Sequence, residues 1–283
     1  MVSASVSSGD PSVGTTGARP GALGFLTDTT LCIGCKACEV ACKQWNQLPM
    51  DDFGFTGYSY DNTGDLGATT WRHVAFIERV SDREGRRPTR LKAFQSNWLM
   101  MSDVCKHCVY AGCLEACPTG AIIRTEFDTV VIQQDICNGC GYCVPACPFG
   151  VPALSLTDGK AHKCTLCYDR LKDGLEPACA KACPTDSIQF GPVEQLMERA
   201  KRRVADLRQQ GVTEAYIYGD RAVGGTGGIE GLNAFFILTA PPEVYNLPAR
   251  PELPQRKVLP AFLSTALAAL GLGLAALFSL WRR

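Results

Sequence analysis

Little in this sequence suits it to bond-making catalysis. Only three histidines, His73, His107 and His162, occur in 283 residues. No general acid, base or nucleophile is grouped with them in a recognisable pattern, and they read as structural. There is no C-x-x-C-H, so covalent haem is excluded, and no P-loop. Gly271, Gly273 and Ala276 match G-x-G-x-x-A in letters only. They lie inside a long apolar run with no strand before them, so they form no dinucleotide fingerprint. Gly224 to Gly228 reads as a turn rather than a phosphate cradle. The chain also lacks a charge imbalance. Lys plus Arg is 28 and Asp plus Glu is 28, which argues against nucleic acid as a partner. Met1 to Gly24 is Ser-, Gly-, Thr- and Pro-rich without an apolar core, so a flexible tail is expected there rather than a secretory signal.

What the chain has in excess is cysteine: sixteen residues, in four runs of four. Cys32, Cys35, Cys38 and Cys42 are separated by two, two and three residues, and so are Cys137, Cys140, Cys143 and Cys147. Cys105, Cys108, Cys113 and Cys117 have gaps of two, four and three, and Cys164, Cys167, Cys179 and Cys183 have gaps of two, eleven and three. Pro118, Pro148 and Pro184 follow the last three runs, and Lys43 follows the first. Disulfide frameworks belong to small secreted domains, and zinc ribbons use Cys in pairs. Fours of this spacing are the bacterial ferredoxin pattern for [4Fe–4S] clusters. Three closely spaced Cys wrap three corners of a cubane, and the fourth serves a neighbouring cluster.

Runs must therefore work in pairs, and sixteen ligands make four clusters. The two middle runs are close in sequence, with short strands expected at 121–123 and 130–132 between them. Cys105, Cys108, Cys113 and Cys147 would then form one ligand set, and Cys117, Cys137, Cys140 and Cys143 another. The outer runs are left to each other. They give Cys32, Cys35, Cys38 with Cys183, and Cys42 with Cys164, Cys167, Cys179. A sequential pairing of the first run with the second is the alternative. The expected fold is α+β: two nested ferredoxin-like modules and a C-terminal transmembrane helix. Its parts are a tail at 1–24, an outer module at 25–99 and 149–190, an inserted inner module at 100–148, a helix/strand cap and linker at 191–255, and an anchor at 256–283.

Outside the Cys runs, segments 67–80 and 89–100 read as a hairpin with its turn at 81–85. Residues 192–210 read as a helix with Val193, Leu196, Met197, Ala200, Val204 and Leu207 on one face. Residues 233–240 read as a buried strand, and a Pro-rich linker follows at 241–254. Val258 to Trp281 carries no charge over twenty-four residues, a helix of roughly 36 Å against a bilayer core of about 30 Å. Arg256 and Lys257 flank one end, and Trp281, Arg282 and Arg283 the other, so the lipid bilayer is an expected partner. Two readings stand for Lys36, Lys43, Lys106, Lys163 and Lys181 beside the Cys: surface charges, or cations that stabilise reduced clusters.

The four runs, LCIGCKACEVACKQWN, VCKHCVYAGCLEACPTGAII, CNGCGYCVPACPFGVP and KCTLCYDRLKDGLEPACAKACPTDSIQFG, are shared by four-cluster subunits of molybdopterin oxidoreductases. With LMERAKRRVADLRQQG, AVGGT, EVYNLPARPELP and a single C-terminal span, the chain resembles the iron–sulfur (beta) subunit of membrane-bound respiratory formate dehydrogenase. The resemblance covers nearly everything after about residue 25. It implies an electron-transfer subunit with no catalytic site of its own, and the same ligand pairing. The implied partners are a Mo/W-bis-pterin catalytic (alpha) subunit and an integral membrane cytochrome b-type or quinone-reducing (gamma) subunit. It also implies a single-pass place in the cytoplasmic (inner) membrane, with the head on the periplasmic face by co-export with the catalytic subunit. The alternative is an equivalent four-cluster subunit of a hydrogenase or of another molybdopterin oxidoreductase.

Overall fold

The computed structural model describes residues 19–51, 57, 60–78, 98–225 and 227–281. Its largest sheet has four strands in the order Ile188–Pro192, Leu23–Asp28, Ala234–Leu238, Tyr216–Tyr218. Leu23–Asp28 runs antiparallel to Ile188–Pro192, with Phe25 opposite Phe190, and parallel to Ala234–Leu238, with Phe25 opposite Ala234. The five apolar residues of Ala234–Leu238 are all buried. That is what a strand covered on both faces requires, and it accounts for an apolar run without alternation. Gly24 lets the chain past here, because a Cβ would lie 1.8 Å from the Asn233 carbonyl oxygen.

The helix Val193–Gln209 packs against this sheet. Its buried residues are the six apolar ones expected from the periodicity. Gly211, at φ 92°, stops it. Arg203 Nε donates to Asp28 Oδ2 at 2.9 Å and ties the helix to the end of the first strand. This sheet joins strands from both the expected outer module and the expected cap.

Three two-stranded sheets complete the described strands. Arg72–Glu78 pairs antiparallel with Trp98–Val104, Val74 facing Ser102. The expected hairpin pairing is present. Its turn at 81–85 lies outside the described residues. The second strand continues past Met100 to Val104, which delivers the chain directly to Cys105. Ile122–Arg124 pairs with Val130–Ile132, close to the expected positions, and Ala153–Leu154 pairs with Ala161–His162.

The segment 241–254 is more than a linker. It holds a 3-10 turn at Pro242–Tyr245, and Tyr245, Leu247 and Leu253 are buried. Tyr218 donates its hydroxyl to Pro248 O at 2.7 Å. Prolines fix the backbone while the apolar residues between them fill the core. A second 3-10 turn, Pro254–Lys257, leads into the helix Val258–Trp281, none of whose residues is buried. Within Pro254–Trp281 an 18-residue stretch reaches a mean hydropathy of 2.0, so the helix is long and apolar enough for a candidate membrane span.

Leu196 is 1% exposed beneath the sheet. Leu196→Ala should cost about 2–5 kcal/mol. Thermal unfolding followed by circular dichroism should show a lower midpoint with an unchanged native spectrum, and an unmoved midpoint would contradict this packing.

Candidate cluster-binding sites

All sixteen cysteines are free of disulfides. Each run has the same local build: a loop with left-handed residues, then a short helix. In the first, Gly34 (φ 67°) and Lys36 (φ 58°) bend the loop, and the helix Ala37–Trp45 carries Cys38 and Cys42. A Cβ on Gly34 would lie 2.7 Å from Met100 Sδ. In the second, His107 (φ 42°) makes the bend, and Cys113 lies on Gly112–Glu115. In the third, Gly139 (φ 73°) and Gly141 (φ 75°) precede Cys143–Ala146. In the fourth, Leu166 (φ 59°) and Cys167 (φ 50°) precede Tyr168–Lys172, and Cys179 lies on Ala178–Lys181. Backbone N–H groups lie within reach of the sulfurs. Leu166 N–H donates to Cys164 Sγ at 3.3 Å. The amides of Gly34, Val151 and Ala178 favour the thiolate of Cys32, Cys147 and Cys167 respectively.

The thiols gather across runs. Cys32, Cys35, Cys38 and Cys183 line one cavity. Cys105, Cys108, Cys113 and Cys147 line another. Burial raises Cys42, and its strongest charged neighbours are Cys179 and Cys167. Cys164, raised first by burial, is raised further by Cys42, Cys105, Cys167 and Cys179. Burial pushes Cys143 up to about 11, and the charges that add to it are those of Cys137, Cys140 and Cys117. Neighbouring sets also touch electrostatically. Cys38 feels Cys179, Cys164 feels Cys105, and Cys113, pushed up to about 12 mainly by burial, feels Cys143. The two ends of this series are open, with Cys35 and Cys140 exposed. Among the described residues no three His, Cys, Asp or Glu side chains close on a point for one ion. The thiols instead surround space, as a multi-atom group held by soft donors requires.

Cations are buried among these sulfurs. Lys106 is ion-paired with Asp103 and lies over the rings of Phe149 and Phe236. Lys163 donates to the carbonyls of Val130 and Cys164. Although burial works against its charge, Cys105, Cys113 and Cys164 raise its pKa. These two lysines belong to the sites. Lys181, by contrast, is a surface charge, 73% exposed at its side chain. Lys36 and Lys43 are intermediate, pairing with Glu39 and Asp61, and with Asp51. His107 is buried and accepts from Val130 N–H through Nδ1. Burial, then Lys163 and Arg124, push it well below the usual histidine range, so it stays neutral. His73 lies between Glu39 and Asp61, and His162 bonds Asp158.

Sequence reasoning missed Arg72. It is buried, and Cys179, Cys38, Cys164 and Cys42 raise its pKa against the opposing effect of burial. The only signal was a polar pair, Arg72-His73, opening a strand that is apolar from Val74 to Ile77.

A family model for a 4Fe-4S dicluster domain matches residues 96–193. Over 232 residues, 81% of this chain, it is 41% identical to the iron-sulfur subunit of nitrate-inducible formate dehydrogenase of Escherichia coli, covering 73% of that protein. It is 42% identical to the formate dehydrogenase iron-sulfur subunit of Haemophilus influenzae, covering 69% of it. The likeness to the B subunit of anaerobic dimethyl sulfoxide reductase of E. coli is lower, 34% over 62% of this chain and 76% of that protein.

Two outcomes follow from the geometry. At Gly139, where φ is 73° and a Cβ would lie 2.2 Å from the Gly159 carbonyl oxygen, Gly139→Ala should cost at least about 1–3 kcal/mol of local strain. It should lower the iron bound per chain, and full iron content would refute the constraint. In the metal-free chain, thiols ionise near pH 8.5 when unfolded but higher when folded and buried. Stability should therefore be present below about pH 8.5 and fall as pH rises through the folded values, about 11 for Cys143 and about 12 for Cys113. Denaturant midpoints that rose from pH 8 to 10 would contradict this.

Proposed function

The chain belongs to the iron–sulfur subunits of formate dehydrogenase, which transfer electrons and have no catalytic site of their own, and on that footing we propose that it binds four [4Fe–4S] clusters as a single wire. The ligand sets are Cys32, Cys35, Cys38, Cys183; Cys42, Cys164, Cys167, Cys179; Cys105, Cys108, Cys113, Cys147; and Cys117, Cys137, Cys140, Cys143. The first two sets belong to an outer module, 25–99 with 149–190, and the last two to an inner one, 100–148. The cap and linker, 191–255, join these to an anchor at 256–283.

Formate loses two electrons and a proton when it becomes CO2. The partner that performs this is a Mo/W-bis-pterin catalytic (alpha) subunit. The acceptor is an integral membrane cytochrome b-type or quinone-reducing (gamma) subunit. Bound clusters supply one-electron redox chemistry; the chain's own residues hold, space and shield them. Thiolates ligate, backbone amides turned in by the left-handed loops donate to sulfur, and Lys106 and Lys163 offset negative charge.

The observation that carries this reading is the gathering of thiols from paired runs, each set in electrostatic touch with the next. It supports the order given above, with the Cys32 set at one end and the Cys117 set at the other. The membrane helix supports a direction. Its root packs on the helix that bears Cys113: Gln255 Nε2 donates to Gly112 O at 2.9 Å. Leu253 lies against the same glycine. Electrons thus enter at the Cys32 set and leave at the Cys117 set, beside the cytoplasmic (inner) membrane. The head sits on its periplasmic face, by co-export with the catalytic subunit. The lower and shorter likeness to the dimethyl sulfoxide reductase subunit makes that assignment the weaker one.

The purified complex tests this. The chain should contribute about sixteen irons, four per cubane. Cys140→Ser should damage the last set, lower the iron bound, and cut electron flow from formate to quinone. It should spare reduction of an artificial dye that accepts electrons upstream. Unchanged quinone reduction would overturn the single wire.

A further inference from the structure

Among the buried cations, Arg72 is unlike the others, and its meaning rests on the four-cluster reading above. It is 1% exposed, and among the described residues its Nε, Nη1 and Nη2 are all buried without a hydrogen-bond partner. Lys106 has Asp103, and Lys163 has two carbonyls. Arg72 instead has the ring of Phe25, 4.9 Å from its guanidinium carbon, covering one side. The buried carboxylate on the neighbouring helix, Glu39, is engaged elsewhere. It accepts from Val74 N–H and faces Lys36 and His73.

A guanidinium cannot shed its proton at ordinary pH. Buried without an anion it is strongly unfavourable, and with one beside it the cost is offset. The negative groups that act on Arg72 are the sulfurs of Cys179, Cys38, Cys164 and Cys42, and Arg72 in turn acts on Cys38, Cys42 and Cys179. Cys38 is in the first set, and Cys42, Cys164 and Cys179 are in the second. A planar group with five donors can serve two anionic centres at once.

We propose that Arg72 is a positioning cation shared by the two outer sites, raising the reduction potentials of the Cys32/Cys35/Cys38/Cys183 and Cys42/Cys164/Cys167/Cys179 clusters together while leaving the inner two alone. An electron arriving at either outer site adds negative charge beside the guanidinium and is stabilised by it. Because one cation faces both sites, its loss lowers both potentials, keeping the step between them small but making it harder for electrons to enter the wire.

The test is a redox titration of the intact purified complex with dithionite and a mild oxidant, followed by electron paramagnetic resonance, with iron measured first. In the wild type, cluster signals in this chain fewer than four would overturn the four-cluster reading itself, separately from the role of Arg72. In Arg72→Met, two of the four midpoint potentials should fall and two should stay within error. Arg72→Lys, which keeps the charge, should recover part or all of that shift. Four unmoved potentials, or an equal shift in all four, would overturn the proposal. If Arg72→Met loses its outer clusters, Arg72→Lys decides. Full iron with near wild-type potentials supports the need for charge, whereas the same loss of iron in both variants overturns it in favour of a shape requirement.

Discussion

Everything in this molecule is arranged around the cost of keeping sulfur anions out of water. Burial alone pushes most of these thiols upward in pKa, against the ionised form that a metal needs. Three devices oppose it. Left-handed loop residues turn amides toward the sulfurs. Buried lysines and one arginine place positive charge among them. Iron, on the proposed reading, supplies the rest. Where the site is open, hydrogen bonding is enough. At Cys117, Thr119 and the amides of Ile122, Thr119 and Ala121 outweigh a smaller burial and lower its pKa.

The apolar architecture serves the same purpose. The sheet centred on Leu23–Asp28 and Ala234–Leu238, backed by the helix Val193–Gln209, forms a dry wall to one side of the sites. Phe25 and Phe236 reach from that sheet to the cations their rings cover, Arg72 and Lys106. Packing and electrostatics are therefore not separable here: the residues that fill the core also cover the charges. The candidate membrane-spanning helix Val258–Trp281 has no buried residue, but the segment before it packs into this body. The 3-10 turn at Pro254–Lys257 and the contacts of Leu253 and Gln255 on Gly112 fix where this apolar helix leaves the rest of the fold.

The elements legible in the sequence share one property: their signal is local. The helix over 192–210 declared itself through six apolar positions at helical spacing, and all six are buried. The terminal span declared itself through twenty-four uncharged residues, and the helix covers Val258–Trp281. The cysteine runs specified ligand chemistry because loop length and helix position are set by a few residues. The segment 241–254 was less legible, since prolines signal a linker equally well whether or not Tyr245, Leu247 and Leu253 find a core to fill.

The sequence by itself thus determined the sixteen thiols and their grouping in four runs, the turn-forming residues of each loop and the presence of an apolar tail. Tertiary structure decided what surrounds them. Which strands share a sheet depends on pairings more than two hundred residues apart, such as Phe25 with Ala234, that no local pattern encodes. Whether a lysine is a surface charge or a buried counter-ion is likewise invisible along the chain: Lys181 and Lys163 both sit near cysteines of the runs, and only folding exposes one and buries the other. Arg72 is the extreme case. Its position in an extended strand gives no hint of the four sulfurs around it, because those sulfurs come from segments on both sides of it in sequence and meet only in the folded interior.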